Sequence, residues 1–321
     1  MTRRALVTGG AGFIGSHVAD LLLATGYEVS VVDDLSSGKR EQVPEGAAFH
    51  ELSISSDGAA ALVRESRFDV LYHLAAQIDV RKSVVDPRYD ARVNIDGTLN
   101  LLEAIRRAGA GTLFVFSSTG GAVYGDLAEP PTAADAPKNP QSPYGTAKLS
   151  VEYYLACYAR IHGVEAVTLR YANVYGPRQD PHGEAGVVSI FCNKILDEKS
   201  LIVYGDGRQT RDYVYVGDVA RANLLAADVA LPPLDGLDSR SFNIGTSVET
   251  DVLELARLIG DVAGRRPDVQ HAAARPGEQR RSAVQIARAE RGMGWRPQTT
   301  LVEGLRRTFE WFSGLREGRN A

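Results

Sequence analysis

An apolar run, Ala5-Leu6-Val7, leads into Thr8-Gly9-Gly10-Ala11-Gly12-Phe13-Ile14-Gly15, and apolar residues then recur at helical spacing. That junction constrains the fold more than any other feature of the chain. Residues 4–8 read as a strand. Ile14, Val18, Leu21 and Leu22 share one face of a helix over 14–25, which Gly26 ends. Residues 28–32 form the next strand and close on Asp33-Asp34. Glycines in this place permit a tight turn, a close approach of backbone to a pyrophosphate, and close packing of helix on strand. The first-turn amides of the helix then face the phosphates. A carboxylate at Asp33 accepts from ribose hydroxyls and repels a 2′-phosphate, which favours NAD over NADP; Asp34 reads as a turn residue. A glycine string alone would be an ordinary turn. Strand, glycines, helix, strand and acid in this order predict a dinucleotide site.

The alternation continues. Short strands are expected at 49–52, 70–74, 112–117 and 164–171, with helices at 57–65, 89–108 (closed by Gly109) and 143–161. Strands of four to eight residues alternating with longer helices imply βαβ units: an α/β fold with a doubly wound parallel (Rossmann) sheet. After Tyr171 the rhythm breaks. Residues 173–186 read as an ordered loop, and the Pro-rich stretch 231–237 as a surface loop. We expect a dinucleotide-binding domain over 1–171 and a smaller α/β substrate domain over 172–321, with segments near 211–229 and 241–246 returning to the first.

A net charge of −4 offers no polyanion-binding surface, so nucleic acid is not an expected partner. The arginines at 275, 280, 281 and 288 read by themselves as a solvated face. Cys157 and Cys192 lack metal or disulfide spacing, and the six histidines form no HxxxH pair, so no metal is expected. No leader-like or membrane-length apolar run occurs, and the expectation is a soluble, cytoplasmic chain.

Two further clusters carry chemistry. Ser142-Pro143 starts a helix on which Tyr144 and Lys148, four apart, share a face. A neighbouring ammonium and the positive helix end both favour the phenolate, which would make Tyr144 a general base for an alcohol proton. The strand over 112–117 ends in Ser117-Ser118-Thr119-Gly120-Gly121. Hydroxyls at the carboxyl end of a parallel strand face the ligand crevice.

With these pieces placed, the chain resembles the UDP-glucose (UDP-galactose) 4-epimerase family of extended short-chain dehydrogenases/reductases. The resemblance runs nearly end to end, through GGAGFIGSH at 9–17, HLAAQ at 73–77, VNIDGT at 93–98, SSTGGAVYG at 117–125, SPYGTAK at 142–148, LRYANVYGPRQDPHGEAGVV at 169–188, RDYVYVGDVA at 211–220, FNIGT at 242–246 and RPGE at 275–278. It implies NAD as a bound prosthetic group, contacted by Gly9, Gly12, Phe13, Ile14, Gly15, Asp33, Ser37, Ser53, Ile54, Leu74, Ala75, Ala76, Gln77, Asn94, Tyr144 and Lys148. Ser53 stands where many relatives carry an Asp. Thr119 is implied as the catalytic hydroxyl with Ser118 its rival. Asn173 would hold the nucleotide-sugar, Val188 and Tyr204 would pack the uracil, and Arg211 and Arg275 would clamp the diphosphate. Glu278, in RPGE where RPGD is commoner, would reach a ribose.

The implied reaction is epimerisation at carbon 4. Tyr144 removes the 4-hydroxyl proton as hydride leaves the carbon, the 4-keto sugar turns over, and hydride returns to its other face. Related dehydratases carry a Thr-Asp-Glu run where this chain has Thr119-Gly120-Gly121, so no acid is present for elimination. Asn173 and Asp180 favour a neutral hexose over a uronic acid, whereas Arg81 pulls the other way. Ser282 falls at a gate beside the sugar's 2-substituent and leaves room for an N-acetyl group. UDP-glucuronate or a dTDP-hexose are the alternative substrates. A non-catalytic NAD- and nucleotide-binding scaffold, or a reductase that exchanges its cofactor, are the alternatives of another kind. Relatives commonly pair the helices expected at 89–108 and 143–161 into a homodimer, a surface that Tyr153, Tyr154 and Tyr158 could serve.

Overall fold

Ala5, Leu6 and Val7 have no solvent exposure, because the strand that carries them lies near the middle of a sheet covered on both faces. The computed structural model describes residues 2–109, 111–126, 128–181, 186–275 and 279–318. In chain order the first part runs β1 (Arg4–Thr8), α1 (Phe13–Ala24), β2 (Glu28–Asp33), β3 (Ala48–Glu51), α2 (Asp57–Ser66), β4 (Val70–His73), α3 (Val80–Val85), α4 (Pro87–Ala91), α5 (Gly97–Ala108), β5 (Leu113–Thr119), α6 (Pro143–His162) and β6 (Ala166–Tyr171). The second part runs β7 (Asn173–Tyr175), α7 (Val187–Leu196), β8 (Leu201–Tyr204), β9 (Thr210–Arg211), β10 (Tyr213–Tyr215), α8 (Val216–Ala226), β11 (Ser241–Ile244), β12 (Thr250–Asp251), α9 (Val252–Val262), β13 (Val269–Ala272), β14 (Arg281–Ser282), α10 (Ala287–Met293) and α11 (Leu301–Arg316).

Seven strands form one parallel sheet in the order β11-β6-β5-β4-β1-β2-β3. This is the doubly wound order, and the crevice at its switch point, between β1 and β4, opens at the carboxyl ends of the strands. One apolar layer joins α1 and α8 to the sheet through Val18, Leu22, Val219 and Ala222; the other face is covered by α2, α5 and α6 through Val63, Leu101, Leu102 and Val151. A third core, built on Phe191, Leu201, Leu255, Ile259 and Phe312, belongs to the second part. The chain leaves the sheet after Tyr171 and returns twice, once as α8 against α1 and once as β11, paired in parallel with β6.

Four differences from the sequence reading have local causes. The helix expected over 89–108 begins at Pro87, where Asp86 caps the Tyr89 amide at 2.9 Å, and a five-residue π-turn (Arg92–Asp96) interrupts it. The strand expected from 164 starts at Ala166, because Gly163 ends α6 in the left-handed region (φ 68°) and the Val164 amide turns back to Tyr158. The loop expected from 173 opens with a short strand, β7, which pairs with β10. β5 extends to Thr119, two residues further than expected.

Candidate active site

The glycine turn is held against the backbone of the neighbouring crossover. A Cβ on Gly9, which has φ +71°, would lie 2.6 Å from the Ala75 amide nitrogen; one on Gly15 would lie 2.1 Å from the Gly9 carbonyl oxygen. Both obstacles are backbone, so neither position admits a side chain without displacing the loop. α1 begins at Phe13 with no side-chain cap and no acid in its first turn, which leaves its amides for an anion. Gly15→Ala is expected to cost about 2–3 kcal/mol in stability and to abolish retention of NAD through gel filtration, read by cofactor absorbance against a thermal melt.

Asp33 is buried behind this turn. One carboxylate oxygen accepts from the Ala11 amide at 3.0 Å, the other from Leu35 at 2.9 Å, and burial raises its pKa. The acid therefore braces the glycine loop. Ser37 is exposed just beyond it. Ser53 closes a turn in which its carbonyl accepts from Ser56, and Ile54 is buried against Gly97. Leu74, Ala75 and Ala76 line the crossover half-buried, while Gln77 and Asn94 are buried and interlocked: the Gln77 amide donates to Asn94 Oδ1 at 3.0 Å, and Asn94 Nδ2 to the Gln77 carbonyl at 2.9 Å.

His73 underpins this edge. Thr98 donates its hydroxyl proton to the Asn94 carbonyl, so it must accept from His73 Nε2 (2.9 Å), and His73 Nδ1 then accepts from Thr8 (2.7 Å). Burial, with Lys148 nearby, pushes the imidazole down to about 3, so the ring is neutral and its tautomer fixed by its two partners.

Ser142 caps α6 by accepting from the Gly145 amide at 3.1 Å, with Pro143 in the first turn. The Tyr144 amide donates to Ser83 Oγ (3.2 Å), which ties α6 to α3. Lys148 is buried and donates from Nζ to the Ser117 carbonyl at 2.9 Å; the same nitrogen lies 5.9 Å from the Tyr144 ring centre. Burial lowers Lys148 to about 8, opposed by the charges of Asp90 and Glu152. Burial moves the Tyr144 phenol above its ordinary value, and Asp90 adds to the effect. Desolvation thus works against the phenolate that the neighbouring lysine and the helix end favour.

The last two residues of β5 point to opposite sides. Ser118 is buried and donates to Glu152 Oε1 at 2.5 Å, within a cluster where Glu152 meets Arg170 and Arg170 also meets Asp238 at 2.7 Å. Its hydroxyl is thereby taken. Thr119 faces the other way: a Cβ on Gly121 would be 3.9 Å from its Oγ1 and 4.0 Å from Asn173 Oδ1, so these two polar groups flank one small gap.

On the second part, Arg275 stacks over the Tyr204 ring with 3.7 Å from guanidinium carbon to ring centre. Arg211 on β9 is in register with Ser282 on β14. Val188 is buried in α7. Arg81 is exposed on α3 and Asp180 is exposed after β7. Glu278 lies outside the described residues. The sequence reading missed Asp212, whose fully buried carboxylate collects the amides of Thr246, Ser247 and Val284 and the Thr246 hydroxyl, and so fixes Arg211 to the sheet edge. An acid abutting the apolar run Tyr213-Val214-Tyr215-Val216 was its one available signal. Among the described residues no cluster of metal-ligating side chains occurs and no helix is long and apolar enough to cross a membrane.

Residues 5–245 match the sequence profile described as the NAD dependent epimerase/dehydratase family. The chain belongs to that family. Among epimerases of known sequence it is 43% identical over 314 residues to the UDP-glucose 4-epimerase of Mycolicibacterium smegmatis, covering 96% of this chain and 98% of that one. Two solved epimerase structures superpose closely. The UDP-glucose 4-epimerase of Thermotoga maritima, determined with UDP-glucose, gives a TM-score of 0.92 at 45% identity, covering 98% of this chain and 99% of that one. The enzyme of Thermus thermophilus, determined with NAD, gives 0.89 at 45% identity, covering 97% and 99%. The cradle without side chains at Gly9 and Gly15, the open amides of α1 and the buried Asp33 fit the NAD that the epimerase/dehydratase family uses.

Proposed function

We propose that the chain is an NAD-dependent UDP-hexose 4-epimerase that interconverts UDP-glucose and UDP-galactose through a 4-keto sugar. The observation that carries this reading is the arrangement of Tyr144 and Lys148 on α6 beside a glycine cradle, with Thr119 and Asn173 flanking one gap and no acid in the Thr119–Gly121 turn. Bound NAD supplies the hydride acceptor and a cationic ring, the positive charge that a buried phenol needs to ionise.

Tyr144 takes the 4-hydroxyl proton and returns it after the ketone has turned over. Lys148, in its ammonium form, stabilises the phenolate. Thr119 holds the reacting oxygen by a hydrogen bond that strengthens as charge develops on it. Arg211 and Arg275 grip the diphosphate with forked donors, Tyr204 and Val188 pack the base, and Asn173 holds the nucleotide-sugar, so the ketone swings without escaping. Asn173 and Asp180 support a neutral sugar, and the small Ser282 opposite Arg211 leaves room for the N-acetyl forms. Exposed Tyr153 and Tyr154 on α6 support a homodimer built on this helix and α5, tested by light scattering. Tyr158 instead donates to Glu103 on α5 within the same chain. We assign the protein to the cytoplasm.

The test is incubation with UDP-glucose, UDP-galactose, their N-acetyl forms and UDP-glucuronate, following the anomeric proton by NMR. Interconversion of the first pair without added NAD supports the reading. A need for NAD at every turnover would make the protein an oxidoreductase instead. Within the same assay, Thr119→Val is expected to lower kcat by about 10²-fold. Ser118→Ala should cost about 1–2 kcal/mol of stability and leave kcat nearer the parent's. Equal kinetic losses at the two positions would return Ser118 to the reaction.

A further inference from the structure

The mechanism leaves one buried acid at this edge without a task. Asp90 is 1% exposed, on the last turn of α4 just before the π-turn, and among the described residues its bonded partners are neutral. A single carboxylate oxygen, Oδ1, accepts from Gln77 Nε2 at 2.9 Å and from Asn94 Nδ2 at 3.0 Å. Burying a carboxylate with no direct cationic partner is costly, and it is rarely retained without a return. The π-turn that follows is itself a departure from regular helix, of a kind that gathers at functional sites. Asn94 lies within this π-turn. α4 and the π-turn both pack on α6, the helix of Tyr144 and Lys148.

We propose that Asp90 is a positioning residue for the Tyr144–Lys148 pair, pinning the interlocked amides of Gln77 and Asn94 and holding a fixed negative charge against one side of the pair. This rests on Tyr144 being the base. The charge supports the proton on Lys148, which burial works to remove, and it keeps the phenol protonated until a cation enters the site. The other groups facing the pair are Glu152 on α6 itself, the neutral His73 from β4, which lies near Lys148, and the uncharged Ser83 from α3. Arg81, Lys82, Asp86, Arg88, Arg92 and Asp96 on the adjoining segments are at the surface, where solvent screens them.

Asp90→Asn tests this, because its remaining oxygen can still accept from both amides while the charge is gone. Removing the charge lowers the proton affinity of phenol and ammonium together. Both limbs of the pH profile of kcat/KM should therefore move to lower pH, by about one unit. Asp90→Glu, with the charge restored on a longer arm, should return the limbs towards the parent's and change mainly the height. Ultraviolet difference titration of each protein against its own Tyr144→Phe partner reads the phenol without reference to turnover and should show the same downward shift. If Asp90→Asn proves unstable, Asp90→Ser removes the same charge and is read in the same way. A profile that loses height with both limbs unmoved, together with an unmoved phenol titration, overturns the proposal. Activity persisting in Tyr144→Phe would instead remove Tyr144 as the base on which this proposal rests, so the two failures are distinguishable.

Discussion

Tyr144→Phe is expected to lower kcat for UDP-glucose by about 10³-fold or more, because it removes the group that accepts the sugar proton while leaving the ring that fills its place. The phenol contributes no capping bond, and it is the Tyr144 amide that binds Ser83. The variant should therefore melt within about 1 kcal/mol of the parent and still carry NAD. The assay is the anomeric proton signal at saturating substrate, so that weaker binding cannot imitate slower chemistry. Conversion at the parent's rate would remove Tyr144 from the reaction and the epimerase mechanism with it.

Glu152→Ala carries the largest expected effect on stability. Arg170 is fully buried, and its guanidinium meets Glu152 through Nε at 3.0 and 3.1 Å and again through Nη2; Nη1 donates to Tyr124 at 3.0 Å and to the Ala134 carbonyl at 2.7 Å. With Lys138 and Asp238 the group balances two cations against two anions. Deleting Glu152 strands a cation in the interior, at about 3–5 kcal/mol, and removes a charge that supports the ammonium of Lys148. Equilibrium urea unfolding measures the loss. The double variant Glu152→Leu/Arg170→Met should recover a part of it, since the expense lies in the unpaired charge more than in the missing bond. A loss below about 1 kcal/mol in the single variant would mean that Asp238 neutralises Arg170 unaided.

How far the site could be read from sequence follows the range of each signal. The glycine turn, the acid of β2 and the Tyr144–Lys148 pair are local patterns whose chemistry sits in adjacent residues, and the structure brings them to one edge of the sheet. The choice between Ser118 and Thr119 was not legible, because it depends on strand alternation. Within β5 the two residues face opposite sides of the sheet, and the buried Glu152 on α6 shows which hydroxyl is occupied. The π-turn left no trace either, because the apolar spacing through 89–108 suits an unbroken helix. Asp212 was hidden for a related reason. Its partners, Thr246, Ser247 and Val284, lie 34 to 72 residues away, beyond the reach of any local pattern.

The order in which the chain visits its sheet bears on synthesis. β11, the strand that covers the open edge of β6, emerges from the ribosome some 70 residues after it, and α8, which covers α1, also comes late. Until Ile244 is made, the nascent chain exposes a bare strand edge and an uncovered helix face, the two features most prone to pairing with the wrong neighbour. The polypeptide thus cannot mature one module at a time. The seven-stranded sheet waits on segments encoded late in the chain, and a gene cut at codon 171 would yield a sheet with an unprotected flank.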